Sequence, residues 1–160
     1  SYDFATVYDA QRIKTVAPHC FLASFSGGSL SREDALALGN SAAELGAKHV
    51  LITRGAEGAV LFANGQMTEI RAVAVKPVDT LGAGDTFISR VLVGLLRLEA
   101  GSDVLSAAST EAAHICSWYG GFGHPAPMEI DLRLSKSVDE IYRITKPVAA
   151  PDYTTETLRG

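Results

Sequence analysis

The chain has 160 residues, 47% of them hydrophobic and 20% charged, with a formal net charge of -4 at pH 7. That is the composition of one globular domain long enough to bury a core. The acidic balance and the lack of a Lys/Arg cluster interleaved with aromatics speak against a nucleic-acid or anionic-membrane surface, and no apolar stretch reaches the roughly 20 residues needed to span a bilayer.

Small-molecule chemistry and a cytoplasmic address are therefore expected. The N-terminus carries no basic-then-apolar leader pattern. It opens with Ser1-Tyr2-Asp3-Phe4, without a starting Met and already strand-like, as a fragment would. Residues 9–15 fit a brief helix or turn, and the apolar run over 19–25 reads as a buried strand. Ser31 followed by Arg32-Glu33-Asp34 offers a capping hydroxyl and an acidic first turn, and the stripe Ala35, Leu36, Leu38, Ala42, Leu45 predicts a helix ending at Gly46. A second buried strand is expected over 50–53, so strand, helix, strand imply a right-handed crossover in a parallel sheet. Apolar runs over 59–62 and 67–70 flank Asn64-Gly65, a strong hairpin turn signal. Residues 73–78 read as a further strand, 86–98 as a buried helix, and 103–118 as a second helix capped by Ser102 or Asp103 and closed at Gly120-Gly121. A short third helix is expected over 135–144, then a loosely attached tail over 146–160. Cys20 and Cys116 lie in apolar segments without Cys-x-x-Cys spacing and read as core thiols.

The most informative passage is Asp79-Thr80-Leu81-Gly82-Ala83-Gly84-Asp85. Gly82, Ala83 and Gly84 would leave backbone N–H groups uncovered at the start of an apolar helix, where unpaired donors and the macrodipole favour an anion. Asp85, one residue on, would repel that anion unless its task is to take a proton from an attacking hydroxyl. A dinucleotide fingerprint needs a glycine where Phe87 stands, and no Walker Gly-x-x-x-x-Gly-Lys occurs.

That run, following a strand and opening a helix, resembles the signature of the ribokinase-like (PfkB) carbohydrate kinase family, with Thr53-Arg54-Gly55-Ala56-Glu57-Gly58 as a second match upstream. The resemblance implies a three-layer α/β/α fold with a mainly parallel sheet and an antiparallel hairpin extension. It further implies ATP and Mg2+ as cofactors and a small sugar as acceptor. Asp85 becomes the catalytic base at the sugar, Gly82, Ala83 and Gly84 the anion hole, and Thr53, Gly55 and Gly58, with Gly82 and Gly84, the nucleotide contacts. Arg54 reads as either a phosphate contact or a solvated side chain. The family often holds a monovalent cation, and K+ would be met here by the Asp79 carboxylate, the Leu81 carbonyl and carbonyls of the loop at Gly120. Of the histidines only His124 has a candidate ligand role. The spacing Cys116-x-x-Tyr119-Gly120-x-Phe122-Gly123-His124 is also similar to the subgroup that phosphorylates fructoselysine or related sugar-amine adducts.

The pattern breaks in places. The family's Asn-x-x-Glu after the strand over 19–25, which helps to organise magnesium, is missing; Asn40 and Glu44 lie inside the next helix. Arg90 falls on a buried helix where small residues are usual, so it must snorkel, pair or face a partner. The resemblance covers residues 1–145 and only the C-terminal half of a family member, without the early strands, the lid and the glycine-rich sugar motif. An open sheet edge is expected, with a homodimer or a complementing N-terminal half as partner. The competing class is a truncated, non-catalytic nucleotide-binding remnant or module; a dinucleotide-binding oxidoreductase stands third.

Overall fold

Short apolar runs separated by one amphipathic helix leave the chain little choice but to lay strands side by side and cover both faces. The computed structural model describes residues 1–121. The helix expected over 135–144, the tail over 146–160 and His124 lie outside the described residues.

Five strands form one sheet in the order β1 (Tyr2–Asp3), β2 (Leu22–Ser26), β3 (His49–Thr53), β4 (Ala59–Ala63), β5 (Gln66–Ile70). β1, β2 and β3 run parallel, and β4 and β5 turn back antiparallel through Asn64 and Gly65, both at positive φ. The helices are α1 (Ala10–Val16), α2 (Arg32–Glu44), α3 (Ala83–Leu96) and α4 (Gly101–Cys116).

Strand alternation builds the layers. Ala23, Phe25, Val50 and Ile52 point to one side and pack with Ile13 of α1 and Ala35 and Ala42 of α2. Leu22, Leu51, Ala59 and Leu61 point to the other and pack with Phe87, Val91 and Leu95 of α3 and Val104, Leu105 and Ala108 of α4. The spacing of Phe87, Val91 and Leu95 is that of a single helical face, and each such burial contributes about 1.5–3 kcal/mol. The result is the expected α/β/α sandwich. Close approach of α2 depends on Gly39, where a Cβ would lie 2.1 Å from the Phe62 ring. Among the described helices none is long and apolar enough to cross a membrane.

Local chemistry explains most boundaries. Asp9 caps α1 by accepting from the Arg12 N–H, and Ser31 caps α2 by accepting from the Asp34 N–H at 3.0 Å. Such caps contribute about 1 kcal/mol each. Other boundaries depart from the sequence expectation. His19 is not in a strand: Pro18 opens a 3-10 turn over Ala17–His19, and the strand begins at Leu22. α3 starts at Ala83, not 86, because Gly82 takes a left-handed φ of 78° as its N-cap. α4 runs from Gly101 to Cys116 with Ala100 at the N-cap, so neither Ser102 nor Asp103 caps it and it stops two residues short of Trp118. Residues 73–78 form no strand. β5 pairs only with β4, Pro77 lacks a donor, and the N–H groups at the two ends of the segment, those of Val73 and Val78, go to α4 instead.

Arg90 is resolved by pairing: its guanidinium meets Glu99 at 2.7 Å, in space that the missing side chain of Gly94 leaves open. β1 sits at the sheet edge as expected, with only two residues of pairing.

His49 supplies a stability test. It is 4% exposed against the Phe21 ring, its Nδ1 lacks a partner among the described residues, and burial followed by the nearby Lys48 charge holds its pKa below the usual 6.5. The folded state therefore keeps the imidazole neutral while the unfolded state takes up a proton below about pH 6.5. Stability is full above that pH and falls as the pH drops from there toward the folded-state pKa. The urea midpoint should fall between pH 8 and pH 5.5 in the wild type, and by visibly less in His49→Phe.

Candidate functional site

The C-terminal end of β3, the turn that leads into β4, the segment after β5, the start of α3 and the last two turns of α4 enclose a cleft of about 580 Å3. It brings Thr53, Gly55 and Gly58 together with Thr80, Ala83 and Gly84, so the two sequence motifs meet at one place although about thirty residues separate them. The remaining walls are Val73, Val75, Pro77, Phe87, Ala112 and Cys116 with small neighbours, and no charged side chain lines the cleft among the described residues. A flat, neutral, largely apolar ring system suits such walls.

The glycines at the β3 end have distinct physical roles. After Thr53 the chain makes a 3-10 turn over Gly55–Glu57, closed by the Gly58 N–H on the Gly55 carbonyl at 3.1 Å and by the Arg54 N–H on the Gly58 carbonyl at 2.7 Å. Gly58 holds a φ of 104°, and a Cβ there would fall 1.9 Å from the Ile70 carbonyl oxygen. Gly55 also has positive φ, at 56°, with open space beside it. Arg54 is half-buried at this turn but does not line the cleft.

At the α3 tip the expected donors are rearranged. The Ala83 N–H is taken by the Thr80 carbonyl at 3.2 Å and the Thr86 N–H by the Gly82 carbonyl at 2.9 Å. The N–H groups of Gly82, Gly84 and Asp85 have no partner among the described residues. Ala83 is therefore not a free donor, and Asp85 adds its own N–H, which spacing alone did not suggest. Gly84 is helical rather than left-handed; its missing Cβ leaves open space beside the cleft, so access rather than φ explains it. Asp85 is exposed at the third helical position and is not among the cleft's lining residues.

Asp79 acts as a clamp. One carboxylate oxygen accepts from the Leu81 N–H and the other from the Gly120 N–H, both at 3.0 Å. These bonds, Leu81 first and Gly120 second, pull its pKa below the usual carboxylate value. The clamp ties the entry to α3 to the exit of α4, where the Gly82 backbone packs so closely on Gly121 that a Cβ would lie 2.9 Å from its Cα. Gly120 thus meets Asp79 through its N–H, and Leu81 is 65% exposed. No group of three His, Cys, Asp or Glu arranged for a metal ion occurs among the described residues.

Cys116 departs from its expected core place. It is half-buried on the cleft wall, and its carbonyl accepts the N–H groups of Val78 at 2.8 Å and Asp79 at 3.3 Å. Sequence reasoning missed residues 72–77 and Ser109 as parts of this site. The signal lay in Pro77, which argues against a central strand.

Residues 21–125 match the family described as pfkB family carbohydrate kinase. The chain is 35% identical over 131 residues to fructosamine kinase FrlD of Bacillus subtilis, covering 82% of this chain and 46% of that protein. It is 33% identical over 96 residues to fructoselysine 6-kinase of Shigella flexneri, covering 59% of this chain and 36% of that protein. Among solved structures, the Arabidopsis thaliana ribokinase in complex with ribose and ATP superposes with a TM-score of 0.62 at 21% identity, over 70% of this chain and 40% of that one. At that identity the likeness is one of fold, and it identifies the sandwich as ribokinase-like. The chain spans less than half the length of these relatives.

Proposed function

This chain belongs to the pfkB family of carbohydrate kinases, and from that membership we propose that it carries the nucleotide half of an enzyme transferring the γ-phosphoryl group of ATP to a hydroxyl of a sugar or sugar derivative. The observation that supports this most is the single cleft shared by Thr53, Gly55 and Gly58 on one side and Thr80, Ala83 and Gly84 on the other. In this reading the adenine lies against the apolar walls and the phosphates point to the α3 tip, where the free N–H groups of Gly82, Gly84 and Asp85 face the charge on the moving phosphoryl oxygens. Asp85 takes the proton of the acceptor hydroxyl.

Mg2+ would be carried chiefly by the nucleotide's phosphates and water, as suits an ion that keeps much of its hydration shell and a chain with no Asn-x-x-Glu. K+ would sit beside the Asp79 clamp, where each carboxylate oxygen keeps a lone pair beyond the one given to its N–H. The likeness to two kinases named for fructosamine and fructoselysine favours a sugar-amine adduct as acceptor. The domain in this reading covers residues 1–145, with 146–160 as a tail, and the sugar's binding wall comes from sequence beyond this chain. The span of less than half of each relative supports a second reading, a nucleotide-binding module that needs a complementing chain for turnover.

Titration of the 160-residue chain with Mg-ATP and with NADH tests the nucleotide site that both readings share against a dinucleotide-binding oxidoreductase. Saturable Mg-ATP binding without NADH binding is expected, and the reverse would remove the kinase reading. Assay of a full-length version on fructoselysine, fructose, ribose and adenosine then identifies the acceptor. Turnover confined to the full-length protein would mean that this chain needs its missing half, and phosphorylation by the 160-residue chain alone would exclude the module.

A further inference from the structure

The segment over 71–79 crosses α4 as a strap without any strand ladder. Its far end is held by backbone: the N–H groups of Val78 and Asp79 both reach the Cys116 carbonyl. Its near end is held by a side chain, the Val73 N–H donating to Ser109 Oγ at 2.9 Å. Between these two ties Ala74, Val75 and Pro77 form part of the cleft wall.

Ser109 is an unusual residue for its place. It is 4% exposed on the inner face of α4, next to the fully buried Leu105 and Ala108. Alanine would suit that helix better, since an interior serine costs about 0.5 kcal/mol in propensity. Nor does Ser109 make the bond that helical hydroxyls commonly make to the preceding turn: its neighbour Thr110 donates to the Ser106 carbonyl at 3.0 Å, whereas Ser109 Oγ is turned to the strap. Val73 is 44% exposed, so its N–H, once released, could be met by water.

We infer that Ser109 is a positioning residue for the nucleotide: by holding Val73 it sets the strap, and with it the outer wall of the cleft, before the ligand arrives. A wall already in place spares the bound nucleotide the cost of ordering it. The inference rests on the reading of the cleft as the nucleotide site, and goes beyond it in assigning a residue that acts through the strap.

The test compares amide exchange and ADP binding in the 160-residue chain. In Ser109→Ala, exchange at Val73 and its neighbours accelerates about tenfold in the absence of ligand, and the ADP dissociation constant rises about three- to tenfold, the worth of one ordinary hydrogen bond. Val73→Pro removes the donor without touching α4 and should weaken ADP similarly, while the double variant is no weaker than the worse single one. Faster exchange with unchanged affinity overturns the positioning role, and weaker binding with unchanged exchange overturns the strap as its means. Additive losses in the double variant overturn it too. Should wild-type chain bind no adenine nucleotide, the reading of the cleft fails and this inference with it, and normal Ser109-dependent exchange would show that the failure lay in the ligand rather than in the tie.

Discussion

Asp85→Ala in the full-length protein lowers kcat by roughly two to four orders of magnitude, the usual loss when a general base is removed, and leaves Mg-ATP binding no weaker than in the wild type. The two halves of that expectation come from one placement. Asp85 is the third residue of α3, exposed, beside the N–H groups of Gly82 and Gly84, which have no partner among the described residues. A carboxylate there repels a nucleotide's terminal phosphate, so its removal does not cost nucleotide affinity. The competing account makes Asp85 a helix-start carboxylate, favourable to the macrodipole by about 0.3–1 kcal/mol. That account predicts a small loss of thermal stability and unaltered chemistry. Steady-state ADP release, read with a melting curve on the same preparation, tells them apart. Asp85→Asn keeps the size and planar shape of the side chain but removes the charge and the ability to take a proton, and should be as inactive as the alanine variant. Full turnover in either would remove Asp85 from the mechanism.

The largest stability effect is expected at Gly58. Alanine there must hold a φ of 104°, and its Cβ would stand 1.9 Å from the Ile70 carbonyl oxygen and 2.8 Å from the Arg71 Cα. Both obstacles are backbone, belonging to the end of β5, so neither moves without opening the hairpin. Left-handed strain of about 1–2 kcal/mol and overpacking of about 1–3 kcal/mol together approach half the stability of an ordinary domain. Gly65→Ala serves as the control. That glycine also has positive φ, 74°, but nothing lies within 4 Å of its Cβ direction. Urea midpoints should show Gly58→Ala losing at least twice what Gly65→Ala loses. Equal losses would mean that the contact with β5 contributes nothing. Because Gly58 also lines the cleft, Mg-ATP affinity should fall in the Gly58 variant and hold in the Gly65 variant.

Much of this architecture was legible in local chemistry. The Ser31 cap, the Asn64-Gly65 turn and the buried apolar run of β3 each depend on neighbours a few residues away, and each appears where expected. The segment over 73–78 shows the opposite case. Val73 and Val75 alternate as residues of a strand do, with Pro77 the one local sign against it, but a strand exists only if a neighbour offers a free edge, and here α4 supplied the partners through Ser109 and Cys116. Cys116 was misplaced for a related reason: an apolar helix end does not reveal whether its last turn faces a core or a cleft.

By itself, the order of residues determined the α/β class, the parallel start with its hairpin extension, and the run of small residues between Asp79 and Asp85 that opens α3. These follow from periodicity, capping and glycine placement, all of them short-range. Tertiary structure alone decided that Thr53, Gly55 and Gly58 share a cleft with the α3 tip, that Asp79 clamps Gly120, that Ala83 gives its N–H to Thr80, and that a buried serine holds the strap. Those facts are contacts between distant segments, fixed by which donors and acceptors remain unpaired once the sheet and helices have packed.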